Sequence, residues 1–411
     1  MKRTVLLMTY IMLVWFVISF VTNLIGPLMP VIIDDFHLSL TLAGFLPFSF
    51  FLAYGLISIP AGALVEARGP RFTLLLAFAL NLAGCLAISL SPTYLIVIVG
   101  LFVIGLGMAM LQVVINPLMR TTGGAAHFAF FSVMAQLVFG AASFLSPLVF
   151  AAVMKQPPTR ARPIVWVELY FAFVAVYVVL LLITSRIPIP QVTLAEDERP
   201  GTVAMYKSLI RERPVQLFFL GIIAYVGTEQ SLADWMSQFL ATYHHFSPTV
   251  EGARAVSLFW GLMSVGCLFG LVLLRLLDSK VVLGFAAVLA IGCVALALFG
   301  SADLSLRAFS AAGFFLSVMW SIVFSLALNS VSRYHGAFSG ILCTGILGGA
   351  VVPLLVGVLG DHIGLRAAML TVFLTLGFIL SIAWWARPLI RNQTVGLSEL
   401  LSVRGRRPAP H

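Results

Sequence analysis

The chain has 411 residues, of which 61% are hydrophobic and only 9% are charged. Soluble globular proteins carry roughly a quarter charged residues, so a water-soluble enzyme is excluded. A mean hydropathy of +1.08 over the whole chain also excludes a soluble protein with a single membrane anchor. Because the apolar runs are long and alternate poorly, membrane helices are favoured over an outer-membrane β-barrel.

The length allows roughly twelve membrane spans and no sizeable extramembrane domain, since one span with its connector takes about 30 residues. The apolar run that follows Lys2 and Arg3 is too long for a signal-peptide core, and we expect it to remain as the first span. Polar residues separate twelve apolar stretches, which are numbered spans 1 to 12 in chain order. These stretches lie near residues 7–32, 41–65, 72–91, 94–118, 128–153, 164–185, 215–241, 253–277, 281–300, 307–331, 337–359 and 367–386.

A charged, proline-containing segment divides the spans into two sets of six. We therefore predict an N-terminal six-helix bundle over residues 1–186, a cytoplasmic linker over 187–214, a C-terminal six-helix bundle over 215–387 and a cytoplasmic tail over 388–411. Part of the linker is expected to form an interfacial helix. The stretch after span 1 is similar to the stretch after span 7, with Phe36 and Phe246 in register, which indicates an internal repeat.

Basic residues predict the orientation of the chain. If both termini are cytoplasmic, only six of the 24 lysines and arginines fall on the other side, as the positive-inside rule requires. We therefore expect a multi-pass protein of a bacterial inner (plasma) membrane. The net charge of +9 follows from this topology, so nucleic acid is not an expected partner. The six exceptions are Lys155, Arg160, Arg162, Arg254, Arg307 and Arg366.

The loop between spans 2 and 3 carries a recognisable pattern, GALVEARGPR, in which Gly62, Glu66, Arg68, Gly69 and Arg71 are the key positions. The pattern resembles the cytoplasmic loop signature of the major facilitator superfamily. Glycines permit a tight turn, and an acid near helix ends can pair with arginines to hold one conformation of two rocking halves. We predict a gating loop here, and the alternative is an ordinary tight loop that sets the topology.

The opposite side of the membrane has two features of its own. The stretch from Gly357 to Arg366, GVLGDHIGLR, is similar to the loop signature, but it follows span 11 on the outer side and is not expected to be the same latch. Acids and histidines also end spans 1 and 7, where carboxylate–imidazole pairs are expected if the halves close. These residues are Asp34, Asp35, His37, His244 and His245.

Several longer stretches resemble the fucose:proton symporter family, which also contains glucose/galactose and N-acetylglucosamine permeases. They are AYVGTEQS (224–231), SLFWGLMSVG (257–266), SVMWSIVFSLALNS (317–330) and GILCTGILGGAVVPLLVGVLGDHIG (340–364). The resemblance implies a sugar carrier built from two pseudo-symmetric six-helix bundles. Two family acids are missing, because Gln112 replaces the acid of span 4, and Leu24 follows Asn23 where an aspartate is expected.

Two acids lie well inside a span, Glu229 and Asp234, both in span 7. A charged side chain at the bilayer centre costs about 2.5 kcal/mol or more, so it is kept where it faces a cavity or a partner. We predict that Glu229, and secondarily Asp234, takes up and releases protons. For Glu229 the alternatives are an acceptor for sugar hydroxyls without proton exchange, or a structural hydrogen-bond anchor.

Neutral polar and aromatic residues in the spans suit a sugar. Amides offer donors and an acceptor to hydroxyl groups, while aromatic faces can stack on a sugar ring. The alternative for each amide is an interhelical hydrogen bond, and for each ring it is contact with lipid or core. The candidate substrate-binding residues are Asn23, Tyr54, Gln112, Asn116, Gln136, Gln230, Trp260 and Trp320.

The sequence therefore predicts a secondary transporter that moves a sugar or a similar polyhydroxylated solute, with proton symport through Glu229. An uncoupled uniporter and a proton-antiporting exporter of drugs or metabolites remain alternatives. No HExxH motif, clustered acids or GxxxxGK[ST] loop occurs, which argues against an intramembrane enzyme and an ATP-driven pump. We expect no catalytic residues, cofactor or metal, and a monomer whose partners are the solute, protons and the lipid bilayer.

Overall fold

The computed structural model describes residues 2–123, 128–157, 164–191, 203–331 and 335–389. Within these residues twelve helices are long and apolar enough to cross a membrane, and this confirms the predicted all-α membrane protein with twelve spans. A short helix, Val203–Ile210, is found in the linker, where an interfacial helix was expected. The rest of the linker, most of the tail and the basic residues Arg160 and Arg162 lie outside the described residues.

The helices mostly extend beyond the apolar stretches, because backbone hydrogen bonding continues into the polar ends. Span 1 is Lys2–Thr22 and Ile25–Phe36, span 2 Leu40–Arg68, span 3 Pro70–Leu90, span 4 Tyr94–Gly123, span 5 Phe128–Met154 and span 6 Val167–Arg186. Span 7 is Arg213–His244, span 8 Ala253–Leu276 after a π turn, span 9 Ser279–Phe299 and span 10 Ala302–Leu316 and Met319–Leu328. Span 11 is His335–Thr344, Gly345–Leu347 and Gly348–Ile363, and span 12 is Leu365–Ala368 and Thr371–Trp385.

Local chemistry fixes the helix ends. The Ser39 hydroxyl accepts a hydrogen bond from the Leu42 amide at the start of span 2, and Asp278 accepts from the Lys280 amide at the start of span 9. Spans 1 and 7 both end in a histidine with left-handed backbone, His37 at φ 51° and His245 at φ 56°. The same unusual ending at corresponding places supports the predicted repeat of the two halves.

Three spans are interrupted in the middle of the membrane. Span 1 breaks at Asn23–Leu24, span 10 at Ser317–Val318, and span 11 passes through the 3-10 turn Gly345–Leu347. Irregular backbone at membrane depth is tolerated only where protein buries it or where it lines a cavity. The three interruptions therefore point to one region between the halves.

The buried side chains form two hydrophobic cores, one for each half of the chain. Four buried residues belong to the core of the opposite half, namely Met29, Ala43, Ala253 and Ala350. The first three lie in the halves of spans 1, 2 and 8 that point away from the linker, and we call this side of the molecule the outer side. The two bundles are therefore in close contact on the outer side.

Candidate functional site

A cavity of about 390 Å³ lies between the two halves, and it has the volume of a small-molecule site. Spans 1, 2, 4, 5, 7, 8, 10 and 11 all contribute to its wall. The interruptions of spans 1, 10 and 11 adjoin it through Asn23, Ser317 and Ile346. We call this the central cavity.

Most of the predicted substrate-binding and proton-coupling residues line the central cavity. Two of them, Asn116 and Asp234, do not. Asn116 is exposed elsewhere on span 4, where its amide nitrogen donates to the Gln112 carbonyl at 3.4 Å. Asp234 is buried at the contact of span 7 with span 1, where Gly26 has no room for a side chain against the Ala233 carbonyl. The residues that line the cavity are Asn23, Tyr54, Gln112, Gln136, Glu229, Gln230, Trp260 and Trp320.

Glu229 is the acid of the cavity wall. Its Oε1 accepts a hydrogen bond from Gln230 Nε2 at 3.2 Å. Tyr225 lies one helical turn earlier, and its ring is 6.0 Å from that of Trp320. Among the described residues no lysine, arginine or histidine pairs with Glu229, so its charge can be balanced only by a proton or by a bound ligand.

The opposite wall is held by a hydrogen-bond network between spans 1 and 5. Asn23 Nδ2 donates to Ser143 Oγ at 2.8 Å and to the Ser19 carbonyl at 2.9 Å, and the Ser19 and Ser143 hydroxyls are 2.7 Å apart. The amide nitrogen of Asn23 therefore takes the interhelical role, and only its carbonyl oxygen remains for a solute. One polar atom in the wall, Trp260 Nε1, has no hydrogen-bond partner among the described residues.

Some lining residues were missed by the sequence reasoning, among them Thr22, Tyr225, Ser264 and Cys267. For two of these residues, helical spacing from a predicted site residue would have indicated that they line the cavity. Tyr225 is four residues before Glu229, and Cys267 is seven residues after Trp260, so each shares a face with a predicted residue.

The outer side of the molecule is closed by the stretch GVLGDHIGLR. The Asp361 carboxylate accepts hydrogen bonds from the Leu40 and Thr41 amides, each at 2.8 Å, and so caps the N-terminus of span 2 in the other bundle. This stretch, which was expected to differ from the latch after span 2, therefore joins the two halves on the opposite side of the membrane. The expected carboxylate–imidazole pairs are not formed, because Asp35 accepts from Trp166 Nε1 at 2.7 Å, and His244 Nε2 has no partner in the described chain.

Within the part of the chain that the structure describes, the predicted gating loop forms no hydrogen bond or ion pair with the other half. Gly69 takes the left-handed backbone at φ 82° that the turn requires, and Arg71 donates to the Ser185 carbonyl within the same half. Glu66 is exposed and forms no hydrogen bond or ion pair with any described residue, so the expected pairing with Arg68 or Arg71 is not observed. The central cavity extends along span 8 to Leu274, towards the linker side.

Comparisons with known proteins agree with this architecture. The profile of the Major Facilitator Superfamily matches residues 11–346. A glucose/galactose transporter of Brucella abortus is 29% identical over 395 residues, covering 90% of this chain and 92% of the relative. The L-fucose-proton symporter of Escherichia coli K12 is 24% identical over 378 residues, covering 85% and 86%. A crystal structure of the E. coli fucose:proton symporter aligns with a TM-score of 0.67 at 19% identity, covering 94% of this chain and 99% of that one.

Proposed function

The chain belongs to the major facilitator superfamily, and from that premise we propose that it carries a sugar across the membrane by alternating access. The observation that carries this proposal is the central cavity, in which three glutamines and six aromatic rings line the wall beside one acid. Glutamine amides suit hydroxyl groups, and flat rings suit the apolar face of a sugar. Relatives named as glucose/galactose transporters and as an L-fucose-proton symporter support the same substrate class.

Alternating access requires that the cavity can close on either side of the membrane, and that it is open on only one side at a time. The contact of Asp361 with span 2 closes the outer side, while the central cavity extends towards the linker side. When this contact opens, the loop from Gly62 to Arg71 is free to engage the other half and close the linker side. We propose that the protein lies in a bacterial inner membrane with both termini in the cytoplasm, as the basic residues favour. A monomer is proposed as well.

Coupling to protons is proposed through Glu229. Glu229 has no basic partner in the described chain. A proton on its carboxyl group therefore lowers the free-energy cost of passing through states in which the cavity is closed on both sides. Solute and proton then travel together, because the same cavity holds both. Asp234 has an unpartnered Oδ2 beside span 1 and is proposed as a second carboxyl that exchanges its proton when the outer side opens.

An uncoupled uniporter is the second candidate, and one observation favours it. The structure brings Gln112, which stands where the resembled family has an acid, into the cavity wall. Its amide cannot ionise, so Glu229 is the only acid that lines the cavity within the described residues. Proton-driven solute accumulation distinguishes the two candidates.

Binding of labelled hexoses tests the substrate class, and Gln136 provides a sharp variant. Gln136→Ala removes an amide from the cavity wall, so we expect the Kd to rise about fivefold, the effect of losing about 1 kcal/mol of hydrogen bonding. Equilibrium binding to the detergent-solubilised protein measures it. Asn116→Ala is the matched control, because this amide lies outside the cavity and its loss should leave the Kd unchanged. Equal effects of the two variants would place the solute elsewhere.

A further inference from the structure

A second and larger cavity lies next to the central cavity, with a volume of about 980 Å³. Spans 8, 9, 10 and 12 and the segments at their linker-side ends form its wall, so every lining residue belongs to the second half of the chain. Leu274 and Ser321 line both cavities and mark the place where they adjoin. We call the larger one the linker-side groove.

A polar stripe runs along the wall of the linker-side groove. Ser321, Ser325 and Asn329 are spaced by four residues on span 10, so they share one face and descend from the central cavity to the end of the helix. Ser321 and Ser325 are both exposed. The Ser321 hydroxyl makes no hydrogen bond within the described chain. The Ser325 hydroxyl accepts one long hydrogen bond, from Asn329 Nδ2 at 3.4 Å.

Most of the remaining wall is apolar, with Phe285 and Trp384 exposed, but lipid is a poor occupant along the serine stripe. A hydroxyl group without a hydrogen bond costs free energy in hydrocarbon, and polar residues inside a membrane generally face the protein interior or water. The mouth of the groove is also polar, since Asp278, Lys280 and Arg387 surround it. Lys280 Nζ donates to the Ala386 carbonyl at 2.8 Å, and the Leu389 amide donates to the Asn329 carbonyl at 2.7 Å, which together tie the mouth to the ends of spans 10 and 12.

We propose that the linker-side groove is filled with water and that it is the route by which protons leave the central cavity. Glu229, in its neutral form, gives its proton to a water molecule and becomes a carboxylate, and the hydronium formed passes along Ser321, Ser325 and Asn329 to the linker side. The route runs inside the second half of the chain rather than through the gap between the halves. The proton part rests on the proposed function, whereas the water-filled route does not.

Thiol labelling in lipid nanodiscs tests the route independently of transport. In a background without the four native cysteines, Ser321→Cys and Ser325→Cys are treated with a membrane-impermeant, positively charged methanethiosulfonate. We expect both to react at least tenfold faster than Val272→Cys. Val272 is 58% exposed, lines neither cavity and lies four residues from the linker-side end of span 8, a depth similar to that of Ser325.

Rates for Ser321→Cys and Ser325→Cys equal to that for Val272→Cys would mean that lipid fills the groove, and the proposal would be overturned.

A transport measurement then separates the proton route from the water route. Ser325→Leu should slow proton-driven uptake several-fold while solute exchange keeps its rate, because exchange needs no net proton release. Labelling without this effect would overturn the proton route and leave an aqueous groove, and absence of proton coupling in the wild type would instead contradict the proposed function.

Discussion

Glu229→Gln is expected to abolish uphill accumulation of the solute while solute exchange continues. The amide keeps the size of the side chain and its contact with Gln230, but it cannot take up or release a proton. For one proton per solute, a gradient of about one pH unit supports about tenfold accumulation, and the variant should fall to equal concentrations on both sides. Uptake and counterflow of labelled hexoses in proteoliposomes measure the two activities separately.

Asp303→Asn is the control for this variant, because Asp303 is an exposed carboxyl in the first turn of span 10 and lies outside both cavities. It should accumulate the solute like the wild type. If Glu229→Gln still accumulates solute against its gradient, another group carries the proton. Loss of both accumulation and exchange would assign Glu229 to solute binding instead.

Asp361→Ala is expected to shift the protein towards opening on the outer side by about tenfold. The variant leaves the Leu40 and Thr41 amides without their acceptor and removes a negative charge from a helix N-terminus. Loss of an N-cap costs about 1 kcal/mol and the helix dipole adds a few tenths for an exposed group, which together amount to about tenfold. Both interactions exist only while the outer side is closed, so the closed state alone is destabilised.

Cys267 reports this shift, because it lines the central cavity. With Cys267 as the sole cysteine, an impermeant thiol reagent applied from the outer side should react about ten times faster in Asp361→Ala. Asp278→Ala is the matched control, since Asp278 caps span 9 within its own half and its loss breaks no contact between the halves. Unchanged labelling in Asp361→Ala would show that this contact does not hold the outer side closed.

The architecture was predictable because backbone polar groups in the hydrocarbon region must form their hydrogen bonds within the protein, which allows few structures. Apolar stretches of span length must be helical, and polar segments such as the one around residues 187–214 must lie outside the membrane. Glu229 was predictable for the same reason, since an acid at membrane depth needs a cavity or a partner. Most of the amides and rings that were singled out by polarity do line the central cavity.

Which side chains line the cavity or contact the other half depends on how the helices pack, and the hydropathy of the sequence does not specify that packing. Asn116 and Gln112 are both amides of span 4, yet their positions on the helix put one outside the cavity and one in its wall. Likewise, the stretch around Asp361 has a local pattern similar to that of the loop around Glu66. Among the described residues, Asp361 accepts from a helix N-terminus of the other half, whereas Glu66 does not. The stripe of Ser321 and Ser325 was hidden because each serine sits singly in an apolar run.

Proton-coupled sugar transport is tested most directly by the uptake of labelled glucose, galactose and fucose by the wild-type protein in proteoliposomes, with and without an imposed inward proton gradient. We expect accumulation of at least one of these sugars above the external concentration, and we expect a protonophore to abolish it. Equilibration of sugar at the same rate and to the same level with and without the gradient would contradict proton symport, and no movement of any sugar would contradict the substrate class.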